Sequence, residues 1–332
     1  MLRLSVLDQS PVRSGATPAE AVQETLDLAQ ACDRLGYHRY WLAEHHSTPG
    51  LAGSSPEVLI GQVAARTRRI RVGSGGVMLQ HYSPLKVAEN FRMLETLFPG
   101  RIDLGIGRAP GSDQLTARAL QETGGAGIDR FPQQVADVVA FVRDAVPDDH
   151  PYRLVKAMPT GPTVPEVWLL GSSDASAMIA AELGTAFSFA HFINPEGGPE
   201  ITRAYARYFR PSSMLAAPDA SAAIFVVCAE TEAEARRLAR SRELFLLKLY
   251  TGRAGRYPSV EEAEAYPYTP RESLLLEALR QRSVVGEPQP VRQRLVAMAA
   301  DYGVNELVIV SITHDPKARL RSYELLAQAF TV

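Results

Sequence analysis

Short apolar runs alternate with longer amphipathic segments along the whole of this 332-residue chain, and that rhythm restricts the fold more than any single motif. Runs at 2–7 (LRLSVL), 39–43 (RYWLA), 70–79 (IRVGSGGVML), 101–107 (RIDLGIG), 166–170, 185–190, 221–229 and 306–312 read as strands. Most are continuously apolar rather than alternating, as parallel strands covered on both faces require. Between them, residues 18–35, 55–68, 84–98, 132–146, 173–183, 199–209, 231–249, 288–302 and 317–330 carry helical patterns. Thr17–Pro18, Ser55–Pro56 and Ser83–Pro84 each set a capping side chain before a proline suited to the first helical turn. Gly36 and Gly100 stand where a helix-ending glycine belongs. Eight strands, each followed by a helix, predict an α/β chain folded as a (β/α)8 TIM barrel, a single domain over residues 1–332; an open doubly wound sheet is the other arrangement. One stretch, about 250–285, breaks the rhythm and reads as a long irregular, lid-like insertion, its tyrosines and prolines suited to a lid or an oligomer contact.

Charge and cysteine usage exclude several classes. Net charge is −2, with a pI near 6.4, so the chain carries no electrostatic footprint for nucleic acid or an anionic membrane. Cys32 and Cys228 are far apart in sequence and make no disulfide framework, which suits a reducing compartment. The N-terminus lacks a long apolar core, and no apolar run reaches membrane-spanning length, so a soluble cytoplasmic protein is expected.

Active sites in such barrels form at the C-terminal ends of the strands. Five of the seven histidines fall there: His45, His46, His81, His191 and His314, leaving His38 and His150 elsewhere. A metal site is disfavoured, because neighbours His45 and His46 point apart on extended backbone and no H-x-H or H-E-x-x-H occurs. The GSGG at 73–76 interrupts a strand with glycine, which marks either a tight barrel corner or close backbone approach to a ligand. GIGRAPG (105–111) fails as a dinucleotide fingerprint, since Pro110 occupies the last glycine position, but it offers Arg108 as a fixed cation. In LLGSSDASA (169–177), Gly171, Ser172, Ser173 and Ser176 run into a helix N-terminus, where backbone N–H groups and hydroxyls suit an anion. The rim therefore supports a phosphorylated cofactor or substrate without choosing one.

Taken in order, LDQSPV, WLAEHH, RIRVGSGGVMLQHYSPLKVAE, PGRIDLGIGRAPGSD, LLGSSDASAMIAAELG and VVGEPQPV…YGVNELVIV resemble the bacterial-luciferase-like flavin-dependent monooxygenases, specifically their single-chain oxidoreductase group. The resemblance implies a barrel that binds FMN as FMNH2 and activates O2 by peroxyflavin chemistry. Position by position, His45 matches the catalytic histidine, with Glu44 beside it as orienting partner and His46 left to structure. Gly75 and Gly76 match a wall against the flavin ring, typically a non-proline cis peptide, and Gly107 its ring-side neighbour. Arg108, Gly171, Ser172, Ser173 and Ser176 match the phosphate-binding positions, with Arg130 as a second phosphate arginine. Ser172 stands where the luciferase subunit carries an acid, and Gly107 where true luciferases carry a reactive cysteine, which argues against light emission.

The implied substrate is an apolar organic molecule, such as an aldehyde or an aromatic or polyketide-type metabolite of secondary metabolism. With no dinucleotide-binding unit in the chain, reduced flavin is expected from a separate NAD(P)H:flavin reductase. A histidine with an ordinary pKa near 6.5 suits the proton handling, and a lid would exclude water. An F420-dependent dehydrogenase of the same superfamily, a non-catalytic flavin-binding protein and a metal-dependent barrel hydrolase are the alternatives. The family pairs subunits through the helices after the second and third strands. Gly61, Ala64 and Ala65 on the first of these would permit close approach, so a homodimer is expected.

Overall fold

Ten strands make one parallel sheet: β1 (Arg3–Asp8), β2 (Arg39–Leu42), β3 (Arg71–Ser74), β4 (Val77–Met78), β5 (Ile102–Gly107), β6 (Glu166–Gly171), β7 (Ala186–Phe189), β8 (Ala220–Cys228), β9 (Ser283–Gly286) and β10 (Glu306–Val310). The computed structural model describes residues 2–109, 111–121 and 130–330. Eight of the strands close in the order β1-β2-β3-β5-β6-β7-β8-β10, with β10 returning to β1 from Arg3↔Glu306 to Val6↔Ile309. That closing pair excludes the open doubly wound sheet and establishes the TIM barrel. β3 breaks at a cis peptide between Gly75 and Gly76, and β4 resumes the line against β5.

Among the described residues there are twelve α-helices: α1 (Pro18–Leu35), α2 (Pro56–Arg66), α3 (Pro84–Leu97), α4 (Gln114–Leu120), α5 (Phe131–Val142), α6 (Asp174–Leu183), α7 (Gly198–Tyr208), α8 (Glu232–Tyr250), α9 (Val260–Ala265), α10 (Pro270–Arg280), α11 (Pro288–Tyr302) and α12 (Pro316–Phe330). Thr17 closes a full capping box with Glu20 ahead of Pro18, and Gly36 ends α1 at φ 85°. Ser55 and Ser83 precede their helices without a side-chain cap bond. On α2, Ala64 is turned into the core with Ile60 and Val63, so of the three small residues expected at a helix contact it is unavailable, while Ala65 stays exposed. No helix among the described residues is long and apolar enough to cross a membrane.

The 250–285 stretch is not irregular. Ser259 and Thr269 each form a capping box, with Glu262 and Glu272, that starts α9 and α10. Leu276, Leu279 and Ala263 then pack on Leu244 and Leu247 of α8. The stretch ends in β9, which pairs with Phe225–Cys228 at the far end of β8. β8 is nine residues long for this reason: its first part pairs with β7, its middle with β10, and its last part with β9.

Inside the barrel, Trp41 and Trp168 meet edge-on at 5.3 Å. Beneath them lies a buried charge cluster. Arg39 donates from Nε to Glu306 at 3.0 Å and from Nη1 to Asp103 at 2.9 Å and Glu166 at 2.8 Å. Asp103 also accepts from Trp41 Nε1 at 2.9 Å and from Arg71. Burial works against the Arg39 charge, but the Asp103, Glu306 and Glu166 carboxylates outweigh it and hold the guanidinium above its ordinary range. Removing one partner of a buried pair leaves the other charge uncompensated, which costs roughly 3–5 kcal/mol. Arg39→Met is therefore expected to lower unfolding stability by about that amount, measured by denaturant titration. Glu166→Gln, at the partly exposed edge of the cluster, should cost well under half as much; equal losses would show that depth does not govern this network.

Candidate active site

A cavity of about 470 Å³ opens at the C-terminal end of the barrel. Leu7, Trp41, Ser188, Ala223 and Val308 form its base, the inward-facing positions of four neighbouring strands and β2. Gly75, Gly76, Gly107 and Met78 form one wall, and Gly171, Ser172, Ser173, Ser176 and Arg108 form the opposite end. Trp41 connects this base to the charge cluster through its indole N–H, so its ring plane is set from below.

The glycines are needed for close packing. A Cβ on Gly76 would stand 2.8 Å from the Gly105 carbonyl oxygen and from Leu170 Cδ1; one on Gly75 would stand 2.5 Å from Leu7 Cδ1. A Cβ on Gly171 would meet Ser176 Oγ at 2.5 Å. The wall is thus bare backbone, open to a flat ring. At the other end, Ser173 precedes α6 in extended conformation, and its hydroxyl makes no cap bond to the helix. Arg108 Nη2 donates to Ser173 Oγ at 3.4 Å, and no carboxylate pairs with Arg108 among the described residues. Arg108 thus stands at the N-terminus of α6, where the Ala175 amide donates to the Asp174 carboxylate at 2.7 Å.

The structure separates the two expected catalytic residues from this lining. Glu44 is fully buried and accepts from His46 Nε2 at 2.7 Å, Tyr82 Oη at 2.8 Å and the Met78 amide at 3.0 Å. Its partner is therefore His46, not His45, because the turn at Ser47 (φ 52°) and the bonds of both histidine amides, to the Gly53 and Gly111 carbonyls, set the two rings on different sides. His45 is half-buried and does not line the cavity, and its enclosed Nδ1 has no partner among the described residues. Burial, with the neighbouring His46 adding to it, pushes its pKa down to about 4. That lies below the ordinary histidine range expected from the sequence.

The other expected residues also part company. Arg130 is exposed at the start of α5 and does not line the cavity, and residues 122–129 before it lie outside the described residues. Among the rim histidines, His46 and His81 meet edge-on at 5.9 Å. His191 is held by Tyr302 at 2.8 Å, and His314 by Ser14. No residue of the 250–285 stretch lines the cavity. Met78, Phe192 and Ile193 do line it, although no motif pointed to them. The inward-facing Leu7, Trp41, Ala223 and Val308 follow a two-residue strand period that, once register is known, would have named them.

Fold and cavity together define a TIM-barrel protein with a pocket at the barrel mouth, apolar at its base and bordered by Arg108 and the α6 N-terminus. The chain belongs to the luciferase-like monooxygenase family, whose model matches residues 2–306. It is 47% identical to the Bacillus subtilis (strain 168) protein YceB over 330 residues, covering 99% of this chain and 100% of that one. It is 41% identical to the N-acetyl-S-alkylcysteine monooxygenase of the same strain, over 99% of this chain and 98% of that one. The crystal structure of apo-MsnO8 superposes with a TM-score of 0.91 at 41% identity, covering 99% of this chain and 98% of that one. At 19% and 12% identity, an FMN complex of the oxygenating constituent of 3,6-diketocamphane monooxygenase and an F420-dependent secondary alcohol dehydrogenase share the fold, with TM-scores of 0.71 and 0.72.

The His45 shift has a measurable consequence. With its folded pKa near 4 and an ordinary value of 6.5, the unfolded chain binds the proton more readily. This group leaves stability unchanged above about pH 6.5 and reduces it as pH falls from there toward 4, by about 3 kcal/mol in all. His38, also pushed down to about 4 by burial and by the Arg39 and Arg3 charges, adds a similar slope that persists in any His45 variant. His45→Asn is therefore expected to flatten part of the pH dependence of the unfolding midpoint between pH 6.5 and 4. An unchanged slope in the variant would place His45 in a solvated setting.

Proposed function

We propose that this protein is an FMNH2- and O2-dependent monooxygenase, with the FMN phosphate at Arg108, Ser172, Ser173 and the α6 N-terminus and the ring against the Gly75–Gly76–Gly107 wall. The observation that carries this reading is Arg108, a guanidinium without a carboxylate partner among the described residues, beside a helix N-terminus whose leading serine caps nothing. The residues present fit the group at both ends: bare backbone where the ring lies, and donors where the phosphate lies. When bound, reduced flavin supplies the electrons that activate O2.

The chain's own residues bind, orient and keep the site dry. Leu7, Trp41, Ala223 and Val308 give the cavity an apolar base that excludes water. We assign proton handling to His45, whose enclosed Nδ1 has no hydrogen-bond partner among the described residues. Glu44 is a positioning residue: by holding the Met78 amide and His46 it fixes the loop edge of the glycine wall. The substrate is an apolar organic molecule, an aldehyde or an aromatic or polyketide-type metabolite. The activity named for the 41%-identical Bacillus subtilis relative adds N-acetyl-S-alkylcysteines, which pair an alkyl thioether with a carboxylate, as a further class. Among the described residues the strands and helices are taken up by one barrel and its insertion, so reduced flavin comes from a separate reductase.

Flavin titration tests the reading. Arg108→Gln is expected to weaken FMN binding about tenfold or more, as loss of a charge-assisted bond of roughly 1.5–3 kcal/mol implies, while riboflavin, which lacks the phosphate, binds both proteins alike. Tighter binding of F420 than of FMN would instead select the dehydrogenase reading. Retained flavin without oxygenation, whatever the reductase, would select a flavin-binding protein.

We also propose a homodimer formed through α2 and α3, which carry Val58, Met93 and Leu97 exposed on their outer surfaces. Light scattering is expected to give twice the chain mass, and Leu97→Glu the chain mass with unchanged circular dichroism. A wild-type monomer would remove this part of the proposal.

A further inference from the structure

A second cavity, of about 300 Å³, lies between α8, the end of α10 and the β8–β9 pair. It shares no lining residue with the cavity described above. Arg242 of α8 lines it, only 6% exposed, with its guanidinium carbon 3.6 Å from the centroid of the Phe225 ring. Among the described residues Arg242 has no hydrogen bond and no ion pair. The neighbouring arginines are satisfied: Arg236 by Glu232, Arg240 by Glu264 and Arg280 by Glu243. Glu243, the one carboxylate in the lining, has both oxygens engaged by Arg280, at 3.0 and 2.7 Å. Arg294 gives the cavity a further cation without a carboxylate, spending one N–H on the Ser283 carbonyl.

A buried guanidinium stacked over an aromatic ring keeps its N–H donors free in its own plane, a fork that fits a carboxylate. Phe225, Leu246, Leu279 and Val285 supply apolar walls around it. We infer that this cavity is a binding site for a small organic acid, whose carboxylate pairs with Arg242 and whose apolar body lies along those walls. Burial pushes the Arg242 pKa down to about 10, with the Tyr257, Tyr250 and Glu243 groups working against it, so the guanidinium stays charged at neutral pH. Phe225 is the next residue beyond Ala223 on the same face of β8, about 7 Å along the strand, so the two cavities are lined from neighbouring stretches of one strand. The inference does not rest on the flavin reading.

Benzoate titrated calorimetrically into the full chain tests it. Wild-type protein is expected to bind benzoate and to melt higher in its presence. Arg242→Met, which keeps the stacked stem, should weaken binding tenfold or more, and Arg242→Lys, which keeps the charge and loses the fork, by an intermediate factor. Inorganic phosphate, lacking an apolar body, should bind at least tenfold more weakly than benzoate, and Arg108→Gln should leave benzoate affinity unchanged. Absence of binding to wild type, equal binding by Arg242→Met, phosphate binding as tight as benzoate, or loss of binding in Arg108→Gln each overturns the assignment. If Arg242→Met fails to fold, wild-type crystals soaked in 4-iodobenzoate decide the matter: an anomalous peak in the Arg242 cavity supports the site, and a peak only elsewhere refutes it.

Discussion

Arg39 is the residue on which the barrel's interior depends. A guanidinium at the base of a closed sheet is tolerable only if every face of it meets a carboxylate or a ring, and here Asp103, Glu306, Glu166 and the Trp168 face do so. These partners come from three strands other than Arg39's own β2: β5, β10 and, twice, β6. Each hydrogen bond therefore fixes the stagger of one strand against another, which apolar packing alone specifies weakly. A second buried pair does the same near the other end, where Arg319 of α12 bonds Asp8 at 2.7 Å and Tyr40 also donates to Asp8. Burial raises the Asp8 pKa, but Arg319 and Tyr40 outweigh it and the carboxyl stays ionised.

The mouth inherits its order from this base. Trp41 donates to the same Asp103 that holds Arg39, and its ring then forms part of the cavity base. The glycine wall above needs that support, because bare backbone has no side chains of its own to hold it in place. Glu44 supplies the remaining constraint from the loop side through the Met78 amide. A buried carboxylate with three donors is a rigid anchor, which is why a titratable residue is found where a loop would otherwise need none.

Much of this was readable in the residues, and the exceptions have physical causes. All eight barrel strands appear as apolar runs, and Thr17, Pro18 and Gly36 bracket α1 as written. The cavity end at Gly171–Ser176 and Arg108 was legible because strand ends in a barrel converge on one rim. α9 and α10 were not, since each is short and set among tyrosines and prolines, although their capping boxes, Ser259 with Glu262 and Thr269 with Glu272, stand in the sequence. Side-chain direction was also hidden. Which of His45 and His46 meets Glu44 depends on a left-handed turn at Ser47 and on carbonyls 8 and 65 residues further along, at Gly53 and Gly111. Arg130, matched only by family resemblance, is exposed at the start of α5, well past the end of β5. Arg242 is indistinguishable by pattern from Arg236 and Arg240 on the same helix; only the pairing of the others leaves it alone.

β8 serves two sheets at once. Its lower half is a stave of the barrel and its upper half, paired with β9, is the floor of the 250–285 insertion. Because the strand is continuous, the two parts behave as one lever with no joint between them. Swinging the insertion open would bend β8 itself, and the bend would be felt at Ala223 in the mouth. Diversity in what such a chain accepts is therefore more readily gained by changing side chains on α8 and β9 than by loosening the insertion, and the barrel and its superstructure must evolve in step.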